Sequence, residues 1–131
     1  MATISNFEVG RKGEDLVLKY YQSLGYTLIS QNFEYRLGNV QGRLGEIDLI
    51  LKKDNKLFLV EVKNRFNNQF GSPQEQITKQ KLKHLYKAWQ FFLAKPQNSI
   101  YRNLLVQFDI ASVYNSQTIE IIPNAYQFDG F

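Results

Sequence analysis

"GEIDLILKKDNKLFLVEVKNR", residues 45–65, places charged residues inside two otherwise apolar runs. Two runs rich in Ile, Leu, Val and Phe flank Asp54-Asn55, the signal of an antiparallel hairpin. A turn centred there sets Asp48 opposite Glu61 and Glu46 opposite Lys63. Side chains alternate faces along a strand. Glu46, Asp48, Glu61 and Lys63 are therefore expected on one face, with Ile47, Leu49, Leu51, Phe58, Val60 and Val62 on the other. Directly opposed Cβ atoms lie roughly 4.5–5.5 Å apart. Two carboxylates at that distance destabilise a sheet unless one is protonated or a cation lies between them. An oxygen-only ligand set suits Mg²⁺ or Mn²⁺, not zinc. Lys63, two residues beyond Glu61, points the same way and can orient a water or stabilise charge building on a phosphate. With a divalent ion to polarise the phosphoryl group, the set is a minimal device for phosphodiester hydrolysis. The plainer alternative is a surface hairpin face of salt-bridged charges, in which Glu46 and Lys63 simply pair.

Outward from the hairpin, residues 6–24 read as a helix with Leu16, Val17, Tyr20, Tyr21 and Leu24 as its apolar stripe and Gly25 as its stop. Glu14 precedes Val17, Leu18, Tyr21 and Leu24 by three, four, seven and ten residues, so it begins the buried stripe. A carboxylate there needs a partner, or serves as a first-turn acid on the helix dipole. Residues 26–36 read as a strand, and "LGNVQGRLG" as a loop. A second helix is expected from Ser72, with Ser72, Pro73 and Glu75 spaced as a capping box and Pro96 as the stop. Leu82, Leu85, Tyr86, Trp89, Phe92 and Leu93 form its buried stripe. Lys79 and Lys81 flank that stripe, Lys83 and Lys87 point away, and Phe91 and the sole histidine, His84, are read as surface residues. Strands at 103–114 and 117–123 close the chain. The expected fold is α/β: a single domain spanning 1–131, a mixed central sheet flanked by helices, in the order α-β-β-β-α-β-β.

Composition excludes several chemistries. The 131 residues contain no cysteine, which removes disulfides, thiolate zinc sites and cysteine nucleophiles. One histidine excludes a multi-histidine metal site and leaves no nucleophilic triad to build. The first residues lack the long apolar stretch of a signal peptide, and no run approaches the ~18 apolar residues of a membrane helix. A cytoplasmic protein without membrane contact is expected. Charge is unevenly spread. From Gln76 to Phe108 there is no acid, and six basic residues give that segment +6 against −2 for the remainder. A basic zone beside an acidic cluster suits a polyanion that meets a metal, although a lysine-rich helix face can also be merely solvated.

The stretches "GRKGEDLVLKYYQSLGYTLISQN", "GEIDLI", "FLVEVKNR", "FGSPQEQITKQK", "QFDI" and "IIPNAY", in that order over residues 5–126, resemble the YraN-like family. That family is itself similar to archaeal Holliday-junction resolvases within the PD-(D/E)XK, or restriction-endonuclease-like, superfamily. The resemblance implies a restriction-endonuclease-like core in which Asp48 and Glu61 are metal ligands and Lys63 is the catalytic lysine. It implies that Glu14 is the helix carboxylate completing the site, and that Lys81 occupies a basic position on the second helix. Gly45 and Glu46 match the family's glycine–glutamate pair. The chain departs from the family pattern in two places. "FEYRLGNVQGRL" is an apparent insertion; its Arg36 and Arg43 either contact a nucleic-acid backbone or belong to a mobile hairpin tip. Gln107 stands where an arginine is usual, so Asp109 has no local arginine to pair with.

These readings converge on a Mg²⁺- or Mn²⁺-dependent endonuclease acting on DNA, with branched or structured DNA as one substrate class and RNA as an alternative partner. Glu14, Asp48, Glu61 and Lys63 would form its catalytic set; Arg36, Arg43, Lys79 and Lys81 would contact nucleic acid. A homodimer is expected by analogy with junction resolvases. The competing expectations are a nucleic-acid-binding module with a vestigial site, acting through a protein partner, and a purely structural domain.

Overall fold

The computed structural model describes residues 6–36, 45–65, 78–115 and 117–126. Helix α1 (Asn6–Ser23) leads into strand β1 (Thr27–Tyr35), β2 (Gly45–Lys53) and β3 (Lys56–Arg65). Helix α2 (Lys79–Ala94) and a 3-10 turn (Pro96–Tyr101) precede β4 (Leu105–Tyr114) and β5 (Thr118–Tyr126). The five strands form one sheet in the order β1-β2-β3-β4-β5. Neighbours are antiparallel except β3 and β4, which run parallel because α2 carries the chain back between them. The expected α/β order and mixed sheet are present, consistent with a restriction-endonuclease-like core.

Each helix covers one face. Val17 and Tyr21 of α1 pack with Leu49, Leu51, Phe58, Val60, Ala111 and Val113. Leu85, Ala88, Trp89 and Phe92 of α2 pack with Ile47, Ile50, Leu57, Leu59, Phe108 and Ile110. Both faces of β2, β3 and β4 are thus buried, which is why these strands read as near-continuous apolar runs. The α1 stripe is narrower than its sequence suggests, since Tyr20 and Leu24 are exposed. Gly25, at φ +93°, stops α1 as expected. Gly25 N–H donates to the Gln22 carbonyl and Tyr26 N–H to the Tyr21 carbonyl, the bond pair of a Schellman cap. Lys53 reaches across to donate to the Leu24 carbonyl at 2.9 Å.

The second helix starts later than its sequence suggests. Thr78 is extended and caps α2, its hydroxyl accepting the Lys81 N–H at 3.1 Å. The helix begins at Lys79, and the Ser72-Pro73-Glu75 box lies outside the described residues. Strand β5 runs past Pro123 to Tyr126, further than expected. It is an edge strand, where proline's missing N–H need not break a ladder. Asp109 is structural. Its carboxylate accepts from Tyr21 Oη (3.0 Å), Gln107 Nε2 (2.7 Å) and Asn124 N–H (3.0 Å), tying α1 to the far edge of the sheet without an arginine. Burial, then the Asp109 charge, pushes the Tyr21 phenol far up, so it stays a donor.

Candidate functional site

The β2–β3 register is the one the turn demands. It runs from Lys53↔Lys56 to Leu49↔Val60 and stops there. In continuing register Val62 would face Ile47, but its N–H donates instead to Asp48 Oδ2 at 2.8 Å. A side chain thus takes the place of the ladder, and the hairpin opens at Asp48. The alternation of faces breaks at the same level. Ile47 packs on the α2 side with Ile50, not with Leu49 and Leu51 as expected. Strand β1 switches with it: Gln31↔Leu49 and Phe33↔Ile47 remain paired across Asn32, which sits at φ +55°. Asparagine tolerates that left-handed backbone better than most residues.

Asp48, Glu46 and Glu61 line one cleft of about 290 Å³, together with Gly45, Lys81, His84 and Leu85. The two acids that the hairpin was expected to confront therefore do share a site. Glu61 Oε1 accepts from Lys63 Nζ at 3.1 Å and from Lys81 Nζ at 2.7 Å, so α2 supplies a second cation to the β3 carboxylate. Glu61 Oε2 is buried without a hydrogen-bond partner. Glu14 comes from the α1 side of the sheet, where its carboxylate accepts from Gln31 Nε2 at 3.4 Å. It does not line the cleft, but its negative charge acts on Asp48. The acids that act on Asp48 are thus drawn from both faces of the sheet, Glu46 and Glu61 from the cleft and Glu14 from the α1 side.

Electrostatics follow from this convergence. Burial pushes Asp48 up to about 7; Glu14, Glu46 and Glu61 push it the same way, opposed by the Val62 N–H. Burial and neighbouring Lys81 hold Lys63 below the usual lysine range, against the pull of Glu61. Burial would lower Lys81 as well, but its hydrogen bond to Glu61 and the Glu61 and Asp48 charges outweigh it and raise it. As the side chains stand, no three carboxylate or histidine groups among the described residues gather around one point as a metal shell. Glu61 is turned onto its two lysines instead.

The other expected contacts divide. Lys79 is exposed in the first turn of α2. Arg36 pairs with Glu34 at 2.7 Å while remaining half exposed. Arg43 lies outside the described residues. His84, expected on the surface, instead lines the cleft. It follows Lys81 by three residues, a spacing that shares a helix face and could have revealed it. Gly45 has a role that its sequence context did not disclose. A Cβ there would stand 2.6 Å from the His84 carbonyl, so glycine lets α2 sit directly on β2. Gly13 does the same for α1, where a Cβ would collide with the Asn64 carboxamide of β3.

The sequence profile of a family described as "Uncharacterised protein family UPF0102" matches residues 13–113. The chain belongs to the UPF0102 family. It is similar, at 32% identity over 127 residues, to a UPF0102 protein of Clostridium botulinum strain Hall, covering 93% of this chain and 96% of that one. UPF0102 proteins of Caldicellulosiruptor saccharolyticus and Persephonella marina are likewise 32% identical, over 88% and 92% of this chain and 89% and 94% of theirs. The YraN-like resemblance read from the motifs is this family. UPF0102 membership covers the elements that carry Glu14, Asp48, Glu61, Lys63 and Lys81. None of the described helices is long and apolar enough to cross a membrane.

Proposed function

We propose that this UPF0102 chain is a divalent-metal-dependent endonuclease that hydrolyses phosphodiester bonds in DNA. The observation that carries the reading is the opened hairpin end, where Asp48 stands among three further acids with a lysine pair beside them. The residues fit a hard cation. Glu61 keeps a buried oxygen with no partner, and the acids around Asp48 oppose its ionisation unless positive charge joins them. Asp48 and Glu61 would hold the ion, with Glu14 completing the set from the α1 side. Mg²⁺ or Mn²⁺ would polarise the phosphoryl group and lower the pKa of a bound water.

The chain's own residues account for the remainder. Val62 N–H fixes one Asp48 oxygen, so the carboxylate is oriented before any ligand arrives. Lys63 stands on Glu61, positioned to orient the attacking water or to neutralise charge on the phosphate. Lys81, 42% exposed at its side chain, can leave Glu61 for a phosphate oxygen. A specific observation supports the alternative of a nucleic-acid-binding module with a vestigial site: Glu61 is held by two ammonium groups instead of facing the other acids.

Purified protein with Mg²⁺ or Mn²⁺ and linear, flapped and four-way DNA separates the two. The nuclease reading expects metal-dependent cutting that falls at least about 100-fold in Asp48→Ala and Glu61→Ala while DNA binding persists. Salt-dependent binding without cutting under any metal would leave the binding module.

A further inference from the structure

Strand β1 is an edge of the sheet, and its last residue, Tyr35, pairs with Gly45 at the lip of the acidic cleft. From there an aromatic ledge runs away from the acids. The Phe91 ring of α2 stands 5.2 Å from Tyr35 and 6.1 Å from Phe33, at centroid distances typical of interacting rings. Unlike its neighbour Phe92, which is buried in the core, Phe91 is 38% exposed. Lys95 holds its ammonium 5.2 Å over the Phe91 ring and 5.8 Å over Phe33, so the ring faces are open to a cation. Lys87 lies exposed one helical turn before Phe91. No acid occurs on α2, on the following 3-10 turn, or anywhere from Gln76 to Phe108. The ledge is therefore aromatic and basic, and it begins where the acidic cleft ends.

Building on the nuclease reading above, we propose that Tyr35 and Phe91, flanked by Lys87 and Lys95, stack the bases of an unpaired DNA strand next to the acidic cleft. An intact duplex offers such a surface only its phosphates, because its base faces are already stacked on one another. A flap, arm or single-stranded end offers base faces to the rings and phosphates to the lysines. An entering base replaces the Lys95 ammonium over the ring and frees it for the phosphate backbone. The substrate class is thus DNA with a single-stranded stretch adjoining the cleaved bond. A second copy of the chain is a poorer occupant. A two-fold contact would set Lys87 and Lys95 against their own copies, and a few rings fall well short of the ~800 Å² per partner of a stable interface.

Binding measured by fluorescence anisotropy in chelator tests the ledge without any cutting. The probes are a labelled single-stranded oligonucleotide, a flapped duplex and a blunt duplex of matched length. Phe91→Ala is expected to weaken the single-stranded and flapped probes about 5- to 100-fold, the range for one stacked base. That loss should exceed the loss on the blunt duplex at least about five-fold. Phe91→Trp should restore binding, and Phe91→Leu, which keeps apolar area without an aromatic face, should not. Equal losses on all three probes, or rescue by leucine, would overturn stacking. So would a dimer that Phe91→Ala dissociates while single-strand affinity stays unchanged. If the wild type binds no probe, or binds and Phe91→Ala changes nothing, the ledge falls; the nuclease reading falls with it only if the protein also cuts none of these DNAs with Mn²⁺.

Discussion

The β2–β3 hairpin has two ends that obey different rules. At the turn end, Leu49–Lys53 and Lys56–Val60 pair in unbroken register, with Leu49, Leu51, Leu57 and Leu59 wholly buried. At the open end the ladder is replaced by the Asp48–Val62 bond, and charge enters from both helices. Among the described residues, the buried side-chain atoms without hydrogen-bond partners belong to Glu61, Asn64 and Arg65 of β3 and to Ser112, which pairs with Lys63. All lie beyond the last β2–β3 pair. Unsatisfied buried polar groups are rare in native structures. Their concentration beyond that pair separates the open end, where buried polar atoms stay unsatisfied, from the turn end, whose buried side chains are apolar.

Mutating each end in turn separates the two. Leu59→Ala should cost about 2–5 kcal/mol in urea unfolding, because a fully buried side chain leaves a cavity. Glu61→Gln, only two residues on, should cost less than about 2 kcal/mol, yet abolish any rise in Tm that Mn²⁺ gives the wild type. Equal costs at both positions would mean that the two ends do not differ in kind.

A smaller effect is read from pH. Asp48 titrates near 7 in the folded chain but near 3.8 when unfolded. The folded state therefore binds the extra proton between those values, and stability falls as pH rises through that window. In chelator, Asp48→Asn should be more stable than the wild type by about 1–3 kcal/mol near pH 8. The advantage should shrink to nothing as pH falls toward 4. Added Mn²⁺ should favour the wild type alone, reversing the order near neutral pH.

Gly45→Ala sharpens the boundary between the ends. The added methyl meets the His84 carbonyl and forces α2 off the sheet, costing about 1–3 kcal/mol. Because α2 carries Lys81, the proposed nuclease function expects the variant to lose metal-dependent cutting out of proportion to its stability. An unchanged melting curve would show that the close approach is not tight.

Much of the site was legible as pattern. Asp54-Asn55 fixed the register from Lys53↔Lys56 to Leu49↔Val60 by turn chemistry, and Asp48 and Glu61, just beyond its last pair, line one cleft without being paired across the strands. The face assignment of Ile47 was not legible. It depends on Asn32 and Asp48 switching two neighbouring strands together, and strict alternation is a property of unbroken ladders only. The spacing from Lys81 places His84 on the same face of α2, but only the close approach at Gly45 shows that β2 and its acids lie alongside that face.

Local and periodic features are written in the chain: the order and type of the elements, the stops at Gly25 and Pro96, the hairpin register near its turn, and which residue types could do metal and phosphate chemistry. Those follow from backbone preference and burial, which short windows encode. Convergence came only with packing. Glu14 arrives from one face and Lys81 from the other, and Glu61 is shared between two lysines. Such contacts span dozens of residues, and their geometry is set by how closely the two helices approach the sheet at Gly13 and Gly45.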